Sequence, residues 1–228
     1  NVYGATVSNC YYLKGTANMA YVGSGKEGLK TKAEFADGTV LELLQSGDEN
    51  SPWEKCGYLN AAGMIVPMLK GQTSDAFLIY TAEDLKTFRD IVNGSNGQTQ
   101  NAGAHGILMN DIVLNDGTFD ADGNWSESGT PDQWTPIVGN YGYGGTFDGD
   151  GHTIRGLYVK GESHAGLFGS VAGGTVKNVT VTGYVEGTQF VGGIAGHGNN
   201  ASITGCTNAA VVKAKCDGRF VDVGGIVG

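Results

Sequence analysis

Thr175-Val176-Lys177-Asn178-Val179-Thr180 recurs 27 residues later as Ser202-Ile203-Thr204-Gly205-Cys206-Thr207. A second arm repeats beside it as Ala165-Gly166-Leu167-Phe168-Gly169, Gly192-Gly193-Ile194-Ala195-Gly196 and Gly224-Gly225-Ile226-Val227-Gly228, at spacings of 27 and 32 residues. Two arms that share one offset mark a structural repeat, and periods of this length belong to solenoids. Two further segments align with the first arm: Thr153-Ile154-Arg155-Gly156-Leu157-Tyr158, 22 residues before Thr175, and Thr6-Val7-Ser8-Asn9-Cys10-Tyr11. That alignment sets Val7, Ile154, Val176 and Ile203 in one column and Cys10, Leu157, Val179 and Cys206 in another, with Asn9, Gly156, Asn178 and Gly205 between them. The apolar columns face inward, and Gly or Asn supplies the positive-φ corners. Short β-branched strands that pair with the coils above and below predict a mostly β chain, wound as a parallel β-helix.

The rest of the sequence adds other elements. Thr81-Ala82-Glu83-Asp84 resembles a capping box and runs into Leu85, Phe88, Ile91 and Val92 at helical spacing, ending at Asn93-Gly94. Thr31-Lys32-Ala33-Glu34 is a similar start, interrupted at Asp37-Gly38 before Val40, Leu41 and Leu44. Two short α-helices are therefore expected. Ile107 to Leu114 reads as one strand, and a polar insert over residues 116–133 leads to Trp134-Thr135-Pro136-Ile137.

Composition agrees with a turn-rich β architecture. Glycine accounts for 40 of 228 residues, far above an average near 7% and without the every-third pattern of collagen, while 40% apolar content suffices for a core. With 23 acidic against 14 basic residues and a net charge of −9, no basic cluster exists to neutralise phosphates, so nucleic acid is not expected as a partner. The longest mostly apolar stretch, Ala61 to Leu69, is half of what a bilayer span needs, so no membrane insertion is expected. Asn1 follows no leader pattern and Gly228 stops inside a repeat, so the chain reads as an excised piece, truncated at its C-terminus.

The glycine units are similar to the GLUG-motif repeats of bacterial surface and adhesin-like proteins, in which Gly-(Leu/Ile)-apolar-Gly precedes a Gly-Gly, Val/Ile-x-Asn arm. Gly166 to Gly169 and then Gly173-Gly174-Thr175-Val176-Lys177-Asn178 carry the likeness. Trp134 to Gly139 and Gly145 to Ile154 resemble the segment that commonly leads into such repeats, and Asn9 to Ala17, Trp53 and Pro67-Met68-Leu69 resemble the tail of a preceding module. The resemblance implies a division into residues 1–72, the tail of one repeat module with a small helix-containing segment, and 73–228, a second module. It implies a right-handed coil and an extracellular or cell-surface setting. It also implies a non-catalytic structural and adhesive role in a large protein, with host or matrix glycans and proteins, and other domains of the same protein, as partners. A polysaccharide hydrolase or lyase is the alternative, and a pure spacer or accessory domain of a secreted peptidase the third.

Asp116, Asp120, Asp122 and Asn124, with Glu127, concentrate oxygen ligands in the insert, as calcium would need, and Asp120-x-Asp122-x-Asn124 imitates the start of an EF-hand loop. Trp125 then stands where glycine is required and Pro131 where the bidentate glutamate belongs, so a solvated acidic loop is the competing reading. No other cofactor is expected. Trp125, Tyr141 and Tyr143 are candidate ligand-binding aromatics, offered as exposed rings for stacking on sugars, whereas Trp134 reads as core. For the enzymatic alternative, Asp148 and Asp150 would be paired acids with His152 and Arg155 nearby, yet Asp-Gly-Asp-Gly is equally a turn signature. The four histidines form no His-Glu-x-x-His, and Gly23-Ser24-Gly25-Lys26 lacks phosphate-loop spacing. Cys10 and Cys206 read as small buried hydrophobes, and a disulfide between Cys206 and Cys216 stays open.

Overall fold

The computed structural model of the protein describes residues 12–13, 29–30, 53–55, 67–69, 76–215 and 221–228. The chain divides into two compact units, Asn1–Asp75 and Ala76–Gly228. In the first, β1 (Tyr12–Leu13) pairs parallel with β2 (Leu29–Lys30), and β3 (Trp53–Lys55) pairs antiparallel with β4 (Pro67–Leu69), setting Trp53 opposite Leu69. The expected helix after Thr31, and the column positions Val7 and Cys10, lie outside the described residues.

The second unit is a β-solenoid of about five turns. Its first sheet takes one strand from each coil: β5 (Ala76–Ile79), β6 (His105–Leu108), β8 (Thr146–Asp148), β11 (Thr175–Lys177) and β14 (Ser202–Thr204). The second sheet stacks β7 (Ile112–Val113), β9 (Thr153–Ala165) and β12 (Thr180–Gly192), and β12 in turn pairs with β15 (Thr207–Asn208), β16 (Val211–Ala214) and β17 (Asp222–Gly224). β10 (Phe168–Ala172) and β13 (Ala195–Asn199) form the third side. Within this unit every strand pair joins successive coils in parallel.

The glycine units stack as their repetition predicts. Leu167 N–H donates to Gly193 carbonyl, Ile194 N–H donates to Ile226 carbonyl, and Phe168 lies opposite Ala195, which bridges to Val227. One coil earlier, Ile137 takes the equivalent place opposite Phe168, so Pro136-Ile137-Val138-Gly139 is a further copy of the same corner.

The other arm is corrected in register. Val176 pairs with Ile203 at the 27-residue offset, but its partner on the other side is Phe147, and Ile154 lies beside Val181 in the second sheet. The two Thr-apolar pairs, Thr153-Ile154 and Thr175-Val176, open strands of different sheets. Gly156, with φ +68°, accommodates an irregularity in β9 where a Cβ would strike the Asn115 carbonyl, whereas Asn178 (φ 54°) and Gly205 (φ 62°) are true corners stacked on each other. Ile107 to Leu114 also resolves into two strands, β6 and β7, separated by Met109-Asn110-Asp111 at the corner between sheets.

The first coil supplies a helix where later coils supply strands: α1, Ala82–Asn93, is the one helix among the described residues. Thr81 caps it, accepting from Asp84 N–H while Asp84 carboxylate accepts from Thr81 N–H, and Gly94 ends it in left-handed geometry at φ 68°. Leu85, Phe88 and Val92 are fully buried, and Phe88 packs against Phe77, Tyr143 and Phe147 at centroid distances of 6.1, 6.2 and 5.7 Å. Behind them Ile154, Leu157, Val176, Val181, Val185, Val191 and Ile194 are equally buried. This core is filled by side chains, so chemistry is left to the outer faces.

Candidate functional site

The insert is a folded cover. Phe119 bridges Trp125, and the turn between them closes through Asp120 N–H to Asn124 carbonyl at 3.1 Å and Gly123 N–H to Asp120 carbonyl at 3.0 Å. Asp120 carboxylate accepts from the Asn124 amide side chain and from the N–H groups of Asn124 and Asp122 at 2.8–2.9 Å, and these bonds hold it below the usual carboxylate range. The EF-hand-like spacing is thus used to turn the chain. Asp122 lies 3.7 Å from Lys213 Nζ, and among the described residues no group of three or more His, Cys, Asp or Glu gathers as a metal site. Half-buried Trp125 packs on Phe119 at 4.7 Å, and Phe119 stacks on Tyr158 at 5.2 Å and Tyr184 at 6.0 Å. The insert therefore shelters an aromatic ladder on the second sheet.

The Asp-Gly-Asp-Gly segment forms a turn. Asp150 (φ 47°) and Gly151 (φ 81°) take left-handed geometry, and Asp150 N–H donates to Asp148 Oδ1 at 3.0 Å. Burial pushes the Asp148 carboxyl up, but the Lys177 ammonium at 2.9 Å, the Asp150 N–H and the Asn178 amide outweigh it and hold the group low. His152 and Arg155 are drawn to Asp111, whose carboxylate accepts Thr153 N–H at 2.9 Å and lies 3.3 Å from His152 Nδ1 and 3.5 Å from Arg155 Nη2. Asp111 was not legible as their partner, because 41 residues separate it from His152 and only coil stacking joins them.

The remaining aromatics divide. Tyr143 is corrected from an exposed ring to a core residue: it is fully buried and its hydroxyl donates to the Ala104 carbonyl at 2.8 Å. Trp134 is core as expected, with its indole N–H donating to Leu167 carbonyl at 3.0 Å. Tyr141, in contrast, is 93% exposed.

The backbone under Tyr141 is tightly fixed. Asn93 Oδ1, at the end of α1, accepts Val138 N–H at 2.8 Å and Gly139 N–H at 3.0 Å, and Asn140 amide donates to Gln100. Gly142, at φ +111°, lies so close to the third side that a Cβ would come within 2.6 Å of Ala172 Cβ. The turn faces a groove of about 360 Å³, also lined by Glu162, Ser163 and His164 of β9 and by Gly169 and Ser170 of β10. Ser163 hydroxyl meets His164 Nδ1 at 3.1 Å, and Ser170 hydroxyl meets His197 Nδ1 at 3.5 Å. His164, Phe190 and His197 form a contiguous group, with Phe190 4.9 Å from His164 and 5.1 Å from His197. Burial, with a smaller contribution from His197, lowers the His164 pKa and favours its neutral ring. In the sequence these histidines share no ligand motif and stand 33 residues apart. Their fixed positions beside the glycine units, His164 before Ala165-Gly166 and His197 after Ala195-Gly196, are the signal that places them near each other.

Cys206 is a free, half-buried thiol, and the other three cysteines lie outside the described residues. Together these features define a β-solenoid with a filled core and a small polar and aromatic groove on its outside. The chain is similar to halomucin of Haloquadratum walsbyi, at 34% identity over 84 residues, covering 35% of this chain and 1% of halomucin. No family model and no solved structure matches it.

Proposed function

We propose that the chain is a non-catalytic structural and adhesive module of a large extracellular or cell-surface protein, related to GLUG-motif repeats and wound as a right-handed parallel β-helix. The observation that carries this reading is the placement of Tyr141: a large ring, 93% exposed, on a turn fixed by Asn93 and Gln100 and set beside a groove. An aromatic side chain with only two torsions offers a large contact area and loses little entropy on contact with a partner. The partial likeness to halomucin, of which the matched stretch is 1%, supports residence in a much longer protein. Among the described residues no helix is long and apolar enough to cross a membrane. The partners are glycans or proteins outside the cell, together with neighbouring domains.

The test is capture of the purified chain on an array of glycans, mucins and matrix proteins, with and without calcium. Saturable capture is expected. A chain that captures nothing in either condition overturns the adhesive role and leaves a spacer.

A further inference from the structure

We infer that the groove beside Tyr141 binds an uncharged saccharide, with the Tyr141 ring as its stacking platform. The inference rests on the adhesive reading above and names its ligand class. The groove holds about 360 Å³, at the small end of ligand sites, which suits one or two sugar rings. A pyranose presents an apolar C–H face and a rim of hydroxyls, and the groove offers the complement. The Tyr141 ring supplies a flat apolar surface, Pro136 and Val138 an apolar wall, and Asn140, Glu162, Ser163, His164 and Ser170 a set of donors and acceptors.

The same lining argues against charged ligands. Among the described residues no Lys or Arg lines the groove, so a phosphate, sulfate or uronate would meet the Glu162 carboxylate with no cation from them to pair it. The net charge of −9 adds a general repulsion of anions. The turn is anchored from α1 and through Tyr143, whose N–H donates to Ser170 carbonyl at 2.9 Å, so the backbone that carries Tyr141 and the hydroxyl-bearing strand share one rigid frame. Preorganisation of this kind reduces the entropy lost on binding.

The test is calorimetric titration of the intact chain with maltose, cellobiose, lactose and chitobiose, and with digalacturonate as the anionic probe. At least one neutral disaccharide should bind saturably with Kd on the order of 1 mM, since a small, open site recovers little beyond the cost of association. Tyr141→Phe should retain this affinity within about twofold, because it keeps the ring, and Tyr141→Ala should lose at least about tenfold. Digalacturonate should not bind. The exposure of Tyr141 keeps both variants folded, which their circular dichroism and thermal melts verify. Absence of binding by all four neutral sugars, unchanged affinity in Tyr141→Ala, or equal affinity for digalacturonate would overturn the inference. Capture of a matrix protein through Tyr141 by a chain that binds none of the sugars would overturn it while leaving the adhesive reading intact.

Discussion

Asn178 shows how one residue fixes a corner. It holds φ at 54°, its amide donates to Asp148 Oδ1 at 3.2 Å, and Gly205 of the next coil sits so close that a Cβ there would come within 2.6 Å of Asn178 Oδ1. Left-handed geometry costs an ordinary L-residue about 1–2 kcal/mol and glycine almost nothing. Urea melts should therefore find Asn178→Ala less stable than Asn178→Gly by about 1 kcal/mol, and equal stabilities would refute the corner assignment. Asp148 governs a pH response at the same corner. Its folded pKa is below the unfolded value of about 3.9, so its contribution is fully present above that pH and is lost as pH falls through the folded pKa. Asp148→Asn should cost about 1 kcal/mol at pH 7, with the gap to the natural protein closing in melts taken below about pH 4. A gap that does not narrow as the pH falls would assign the loss to something other than ionisation.

At the scale of elements, α1 depends on its cap and on one ring. Thr81→Ala removes the acceptor for Asp84 N–H and should cost about 1 kcal/mol, whereas Phe88→Ala empties the space between Phe77, Tyr143 and Phe147 and should cost about 3–5 kcal/mol. Chemical denaturation of both variants checks the order. The cap, the apolar spacing and Gly94 made this helix legible, since all are local signals. The glycine units were legible for a similar reason, because close backbone approach demands glycine wherever the corner recurs. The register of β9 was not. Asp148 is separated from Thr153 by four residues, where Lys177 is separated from Thr180 by two, and no propensity reports which turn carries the extra pair. The groove was hidden for a different reason: Tyr141 comes from a turn, His164 and Ser170 come from β9 and β10, and only coil stacking brings them together, while Tyr143 packs inward on Phe88 and reaches the Ala104 carbonyl where Tyr141 turns outward.

Across the solenoid unit, stability should follow position in the stack. Ile154 lies between Ile112 and Val181 and is fully buried, while Ile203, on edge strand β14, is half-exposed. Ile154→Ala should cost about 2–5 kcal/mol and Ile203→Ala less than half as much, as measured by thermal or urea unfolding of the 228-residue chain. The reverse order would mean that the coils do not stack in this register. The same stack explains the division of labour: apolar columns hold the coils together, while the turns and the outward positions of the strands carry side chains that the core does not need. That a filled solenoid core carries an independent recognition surface is tested most directly by equilibrium binding of the natural chain and Tyr141→Ala to one array of glycans, mucins and matrix proteins. Matching thermal melts with saturable capture by the natural chain alone is the expected result. Equal capture by both chains, or by neither, would contradict it.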